Sequence, residues 1–364
     1  AYTPPSGYVA LNTYNLPTPT IQQGNLYMDA TLWTGSGSST RTIGGLNFQP
    51  GFLWNKARSG AYYHNLYDAV RGFGSGKSLN SNSTETEGFN DPTYGYVSGV
   101  TSTGFSVAAG TSTSQFVNEN GTTYVGWAWD SGSSNATNTS GSITSTVRAN
   151  TTAGFSIVTY TGTGSAATIG HGLGVSPKFI IVKDRNNVNP WPIYHVDLGV
   201  QKYMFLNATD AAYNNLVNYW GSTSPSSTTF GIGAGYGGNG ASGHNYVAYC
   251  WAEIAGFSKF GSYTGNGSTD GTFVYLGFRP KFILIKNTND VTAWNMIDTS
   301  RATYNVVGPY IDANSANAES TYAGWDMLSN GIKMRNVGGS LNSNGNIYIY
   351  MAFAENPFNN ANAR

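Results

Sequence analysis

The sequence predicts an all-β protein: three tandem homologous antiparallel β-sandwich or jelly-roll-like repeats behind an extended N-terminal arm. Three observations lead there. One passage is written three times, as "TLWTGSGSSTRTIGGLNFQPGFLWNK" (31–56), "TYTGTGSAATIGHGLGVSPKFIIVK" (159–183) and "GSYTGNGSTDGTFVYLGFRPKFILIK" (261–286). The 364 residues contain no convincing stretch of ten or more with apolar positions at helical spacing. In place of helices there are short runs of Val, Ile, Tyr, Phe and Thr, such as "GFSIVTYTG" and "TFVYLGF", bounded by Gly, Asn, Asp and Ser. Short strands with frequent turn signals read as sandwiches or jelly rolls.

The first 29 residues carry Pro4, Pro5, Pro17 and Pro19. Proline fixes φ and removes a donor, so 1–29 reads as an extended arm outside any sheet interior. The first repeat (30–130) opens at Thr34-Gly35, and its partners at Thr161-Gly162 and Thr264-Gly265 open the second (153–256) and third (257–358). Pro50, Pro177 and Pro280 follow, then Phe52, Phe179 and Phe282, then Lys56, Lys183 and Lys286. A second module ends in an acid: "YYHNLYD" at Asp68, "WPIYHVD" at Asp197, "AWNMID" at Asp298. A third holds Gly-apolar pairs, and the last is a long apolar run: "YVGWAW" from Tyr124, "YVAYCWA" from Tyr246, "YIYMAFA" from Tyr348. Between the first two repeats, 131–152 is rich in Ser, Thr and Asn and reads as a linker, either an extended connector or an exposed edge strand. Residues 359–364 form a C-terminal tail.

Half-buried strands alternate apolar and polar residues. "FIIV" (179–182), "FILI" (282–285) and "IYIYMAFA" (347–354) do not. Both of their faces must be covered, by a neighbouring repeat or by another subunit.

Composition narrows the function. Charged residues make up 10% and the net charge is zero, with no cluster of Lys and Arg. That argues against nucleic acid and acidic membranes as partners. No run of about 18 apolar residues exists to insert in a membrane. Solubility rests on uncharged polar residues, while 25 Tyr, 17 Phe and 9 Trp supply the core. Cys250, the only cysteine, sits in an apolar run and reads as an inert buried thiol.

Chemistry is weakly signalled. His64 and His195 fall in the same module, each shortly before an acid, but no histidine matches them in the third repeat and no nucleophile pattern accompanies them. Asp68–Arg71 and Asp298–Arg301 share a D-x-x-R spacing that suggests structural ion pairs; the second repeat has Val200 where the arginine would stand. Glu85, Glu87, Asp91, Asp312 and Glu319 are the acids available for glycoside hydrolysis, without an aromatic platform beside them. "GNGSTDG" and "NTND" lack the acids of a calcium loop. The expectation is no enzyme, no cofactor and no metal. Trp191, Trp220, Trp294 and Trp325 lie in or near loops and are the candidates for stacking on a glycan, against the alternative that they roof the sandwiches.

"GFSIVTYTGTG…HGLGVSPKFIIVK", "NYVAYCWAEIAGFSKFGSYTGNGSTDG", "GFRPKFILIK" and "YIYMAFAENPF" resemble a family of tailed-bacteriophage virion proteins of aquatic phages, labelled tail fibre or structural protein. The resemblance implies a virion component assembled in the host cytoplasm and released by lysis. It would be a tail fibre or appendage element contributing to host attachment, with a capsid decoration protein, a head fibre or a tailspike depolymerase as alternatives. It also implies a homotrimer, docked on other virion proteins through residues 1–29, with a host surface glycan as the ligand. Removing 1–29 is expected to leave folding intact and abolish incorporation.

Overall fold

The computed structural model describes residues 19–89, 91–214, 219–235 and 237–357. The chain is all-β, and its sheets are antiparallel. Among the described residues the only helical turns are Gly24–Leu26 and Asp91–Tyr94. One strand order occurs in three stretches. Met28–Thr34, Thr123–Trp129, Phe52–Ala57 and Asn65–Asp68 lie side by side in the first. Phe155–Thr163, Ser242–Trp251, Phe179–Asp184 and Pro192–His195 do so in the second. Ser258–Thr264, Ile347–Pro357, Phe278–Asn287 and Asn295–Asp298 do so in the third. Each time the last strand of the stretch inserts between the first and the Phe-to-Lys strand. A smaller set of strands accompanies each main sheet: Thr40–Ile43 with Gly104–Ala108 and Tyr96–Thr101, Ala167–Gly170 with Thr229–Ile232, and, continuous with the third main sheet through Val307–Asp312, Phe273–Tyr275 with Gly331–Met334 and Ser320–Leu328.

The doubly apolar strands follow from this layering. Phe179 and Ile181 point into a central core shared by all three units, while Ile180 and Val182 face the second unit's own core. Phe52 and Trp54 face the centre, and Leu53 faces the first unit's private core. At the centre, Phe52, Phe179 and Phe282 pair in register with Trp129, Trp251 and Phe353. Ring centroids cross the unit boundaries at 5.5 Å (Trp129–Phe282), 6.1 Å (Trp129–Trp251) and 4.4 Å (Phe52–Tyr249). Burying each such ring contributes about 2–3 kcal/mol. The cover for both strand faces is therefore intramolecular, and the strand pattern creates no demand for a second subunit.

Two boundaries move. Strands Ala136–Asn138 and Ser145–Asn150 add to the second main sheet beside Phe155–Thr163, so 131–152 is an edge hairpin and not a connector. In the arm, residues 1–18 lie outside the described residues, but 19–29 belong to the fold. Ile21 and Met28 are buried, Met28 pairs with Trp129, and a side chain at Gly24 would collide with the carbonyl of Ala354 on the last strand. The C-terminal tail, 359–364, also lies outside the described residues.

The recurring Thr-Gly pair has a packing cause. A Cβ at Gly35 would collide with the Glu119 carbonyl, one at Gly162 with the Tyr246 ring, and one at Gly265 with the Ser343 carbonyl. Each glycine lets a loop backbone press against the first strand of its unit.

Candidate functional site

The recurring polar residues meet at three joints, each binding a loop of one unit to a strand of the next. In the second unit the backbone N–H of Trp191 donates to Asn207 Oδ1 (2.9 Å), and its indole N–H donates to the Ser83 carbonyl of the first unit (2.9 Å). In the third, the N–H of Trp294 donates to Asn314 Oδ1 (2.8 Å) and its indole to the Phe205 carbonyl of the second (3.0 Å). In the first, the N–H of His64 donates to Asn82 Oδ1 (2.9 Å), and Nε2 lies 3.1 Å from the Asp312 carbonyl of the third. His64 Nδ1 accepts from the Trp54 indole (2.8 Å), so the ring proton sits on Nε2 and donates to Asp312. A histidine thus does the work of an indole, and the joints run first to second, second to third, third to first. The chain closes on itself as a ring.

This register corrects the sequence alignment of the acid module. Phe52, Phe179 and Phe282 pair with Asp68, His195 and Asp298, so His195 occupies the aspartate position. Its Nδ1 accepts the N–H of Asp197 (3.1 Å), as Asp68 Oδ1 accepts that of Val70 and Asp298 Oδ1 that of Ser300 (3.0 Å each). Asp197 is exposed and is not the counterpart of Asp68. Leu198, three residues after His195, stands where Arg71 and Arg301 do, and not Val200.

Both D-x-x-R ion pairs form and are buried: Arg71 Nε to Asp68 at 2.5 Å, Arg301 Nε to Asp298 at 2.6 Å. They extend across joints. Arg71 reaches Glu87 (2.8 Å), which reaches Arg185 of the second unit (2.7 Å). Arg301 reaches Glu319 (3.1 Å), which reaches Arg58 of the first (2.8 Å). Position for position, the joint from second to third unit replaces the whole set with His195, Leu198, Ala212 and Thr288. At these positions the joint keeps the backbone bond of Ala212 N–H to the Thr288 carbonyl (2.9 Å), matching Glu87 to Arg185 (3.0 Å) and Glu319 to Arg58 (2.7 Å). All four charges are absent together, which fits the high cost of leaving one buried charge unpaired.

Lys56, Lys183 and Lys286 are fully buried. Lys183 donates to the carbonyls of Asn187, Asn189 and Thr84, the last from the first unit; Lys286 donates to those of Thr209, Asn287 and Asp290; Lys56 donates to Ala57 and Gly60. Burial lowers Lys56 to about 7 and Lys183 and Lys286 to about 8, against opposing pulls from nearby acids. Burial also lowers His195 and His171 to about 4 and holds His64 well below its usual value.

Four of the five acids considered for hydrolysis, Glu85 being the other, occupy structural positions as well. Asp91 is raised by burial and accepts the N–H groups of Gly76, Lys77 and Ser78 (2.9–3.0 Å). Asp312 accepts Asn295 Nδ2 (2.7 Å), and Glu87 and Glu319 bridge arginines. Cys250 is buried in the second unit's core, which pushes its thiol pKa up.

The four tryptophans proposed for glycan stacking are at most 2% exposed. Trp191 and Trp294 are joint residues. Trp220 donates to the Ile193 carbonyl (3.2 Å) and packs edge-on against Tyr194. Trp325 floors a small depression of about 140 Å³ beneath Tyr310 and Tyr322. None offers a ring face to a sugar.

The open aromatic surface lies elsewhere. A cleft of about 430 Å³ on the first unit is lined by Tyr62, Tyr63, Phe89, Tyr94 and Phe116, with Ala61, Ser112 and Ser114 at its rim. Tyr63 stacks with Phe116 (5.9 Å, 12°) and Phe89 (6.1 Å, 21°), separations that leave the rings laterally offset. Tyr94 packs tilted on Phe116 at 4.7 Å. These residues come from three separate loops, so nothing in the sequence spacing brings them together.

Residues 23–357 match the model of a family described as a domain of unknown function (DUF7483). No curated protein matches the chain.

Proposed function

We propose, for a chain that belongs to the DUF7483 family, a structural role in a virus particle: a stiff appendage element of the tail-fibre kind that contributes to host attachment. The observation that carries this reading is the ring of joints. Three units are locked first to second, second to third and third to first through the side chains of His64, Trp191 and Trp294, and Asn82, Asn207 and Asn314 each hold one of these residues within its own unit. A body closed in this way has no free end from which to fray and resists shear. The buried ionisable groups are committed to holding it together. Charged residues are only 10% of the chain, so adhesion depends little on ionic strength. The virion resemblance of the sequence motifs agrees with that role.

Threefold packing is already internal to one chain. The assembly proposed is therefore one closed body per chain, attached to virion partners through residues 1–18. The test is immunogold electron microscopy and quantitative mass spectrometry on purified particles of the virus that encodes it. A few tens of copies or fewer, with label on the tail, are expected. Several hundred copies with label on the head would replace the appendage by a capsid decoration role. Absence from the particle would overturn the proposal.

A further inference from the structure

We propose that the open aromatic cleft of the first unit binds a neutral saccharide. The proposal deepens the attachment reading and rests on it only for the source of the sugar. Two features of the cleft carry it.

The first is that the joint does not require these rings. Tyr62 and Tyr63 directly precede His64. The residues that precede the corresponding Trp191 and Trp294 are Asn189 and Pro190, and Thr292 and Ala293. The joint therefore forms in the other two units without any aromatic side chain there. Tyr62, Tyr63, Phe89 and Tyr94 stay partly exposed, whereas the rings of the central core are buried. Four partly exposed aromatic side chains gathered in one cleft cost solvation that the joint does not demand.

The second is the chemistry of the walls. Offset rings present a terrace of partial faces, which suits the C–H faces of a pyranose. Tyr62, Tyr63, Tyr94, Ser112 and Ser114 bring to the lining hydroxyl groups that both donate and accept, as sugar hydroxyls need. No Lys or Arg lines the cleft, and Tyr62 is hydrogen-bonded to Glu119. A lining without a cation has nothing to pair with phosphate, sulfate or sialic acid, so the ligand is uncharged. The volume of about 430 Å³ falls within the range of small-molecule clefts, roughly 300–1,000 Å³. A choline-like cation would also favour the rings, but it would make no use of the wall hydroxyls.

The test uses the full chain and saturation-transfer NMR with defined probes: hexasaccharides cut from dextran, mannan and galactan, a sulfated oligosaccharide, and choline chloride. Saturation of at least one neutral hexasaccharide is expected, with at least a ten-fold weaker Kd in Tyr63→Ala and Tyr94→Ala. Because those variants remove packing, Ala61→Trp is the second probe. It fills the cleft from its exposed rim, removes no wall residue, and is expected to abolish the signal with an unchanged melting temperature. Silence from all three neutral probes, equal binding by Ala61→Trp, or stronger binding of choline or the sulfated sugar would overturn the proposal. Adsorption to host cells separates this outcome from the attachment reading. Wild-type adsorption that Ala61→Trp leaves intact sinks the cleft alone; saccharide binding without any adsorption sinks the attachment role alone.

Discussion

Replacing Arg301 by Met tests both the buried network and the closure of the ring. Arg301 and Asp298 are each fully buried at the side chain, and the guanidinium also bonds Glu319 and the Met296 carbonyl. The substitution keeps most of the volume but leaves the Asp298 carboxylate without its cation. Removing one partner of such a pair costs about 3–5 kcal/mol. Unfolding entropy is about 2.1 cal/mol/K per residue, so a ring of roughly 330 residues that melts as one body has about 0.7 kcal/mol/K. The loss then lowers Tm by about 4–7 °C in a single transition. Were the third unit, of roughly 100 residues, to melt alone, the same loss would lower its own transition by about 15–25 °C and split the curve. Adding Asp298→Asn removes the stranded charge and is expected to recover at least half of the deficit, because replacing a whole buried pair is often close to neutral. Differential scanning calorimetry reads all of this. A single variant within 1 °C of wild type, or a double variant no better than the single, would refute the account of the pair. A split transition would refute the ring as one cooperative body.

Other outcomes follow from the same geometry. Lys56, Lys183 and Lys286 bind protons less tightly folded than unfolded, so stability rises from about pH 7 to pH 9.5, by about 1.4 kcal/mol per pH unit for each lysine that is neutral when folded. Above pH 10 it falls, because burial raises Tyr67, Tyr160, Tyr249 and Tyr263 and only the unfolded chain ionises there; a urea-unfolding series across pH shows the maximum or its absence. The lowered histidines act at the acid end: unfolded imidazoles take protons that folded His171 and His195 refuse, so stability drops as pH falls from 6.5 towards 4, and His195→Gln flattens that limb. Asn207→Ala strands the Trp191 N–H and costs about 1–3 kcal/mol by chemical denaturation. Deleting 1–29 lowers Tm by removing Ile21, Met28 and the Asp29–Lys281 ion pair, an outcome that a thermal melt of the truncation checks.

The layered architecture was legible in the sequence because burial on two faces leaves a two-faced apolar strand, and "FIIV" and "FILI" could not be read otherwise. The joints were half legible. The acid at the end of "WPIYHVD" drew the alignment to Asp197, although strand register is set by the hairpin partner of Phe179 and not by the nearest charge. A better signal was present: His64, Trp191 and Trp294 each fall eight residues after Lys56, Lys183 and Lys286. That spacing places imidazole and indole at one site, a substitution that residue similarity hides and hydrogen-bond function explains. The buried lysines were seen as markers but not as buried, since lysine in a strand ordinarily reaches solvent. The cleft could not be read at all, because its aromatic residues come from separate loops and do not recur at the corresponding positions of the other units.

That last contrast bears on why one chain carries three units. A homotrimer of a single unit could build the same central core and the same three joints, but every copy would then carry identical loops. In one chain the positions that serve the joints are held in all three units, as Asn82, Asn207 and Asn314 are, while loops outside them diverge singly. The charge relay shows how far that freedom reaches: four positions at one joint hold His195, Leu198, Ala212 and Thr288, and the joint keeps its Asn207 bond and its backbone pairing. A charged relay is therefore not a condition for closure. The same freedom permits Tyr62 and Tyr63 to sit beside a joint in the first unit while Asn189, Pro190, Thr292 and Ala293 occupy those places in the others. Shape comes from what the units share, and the cleft proposed to bind a saccharide lies where the first one departs.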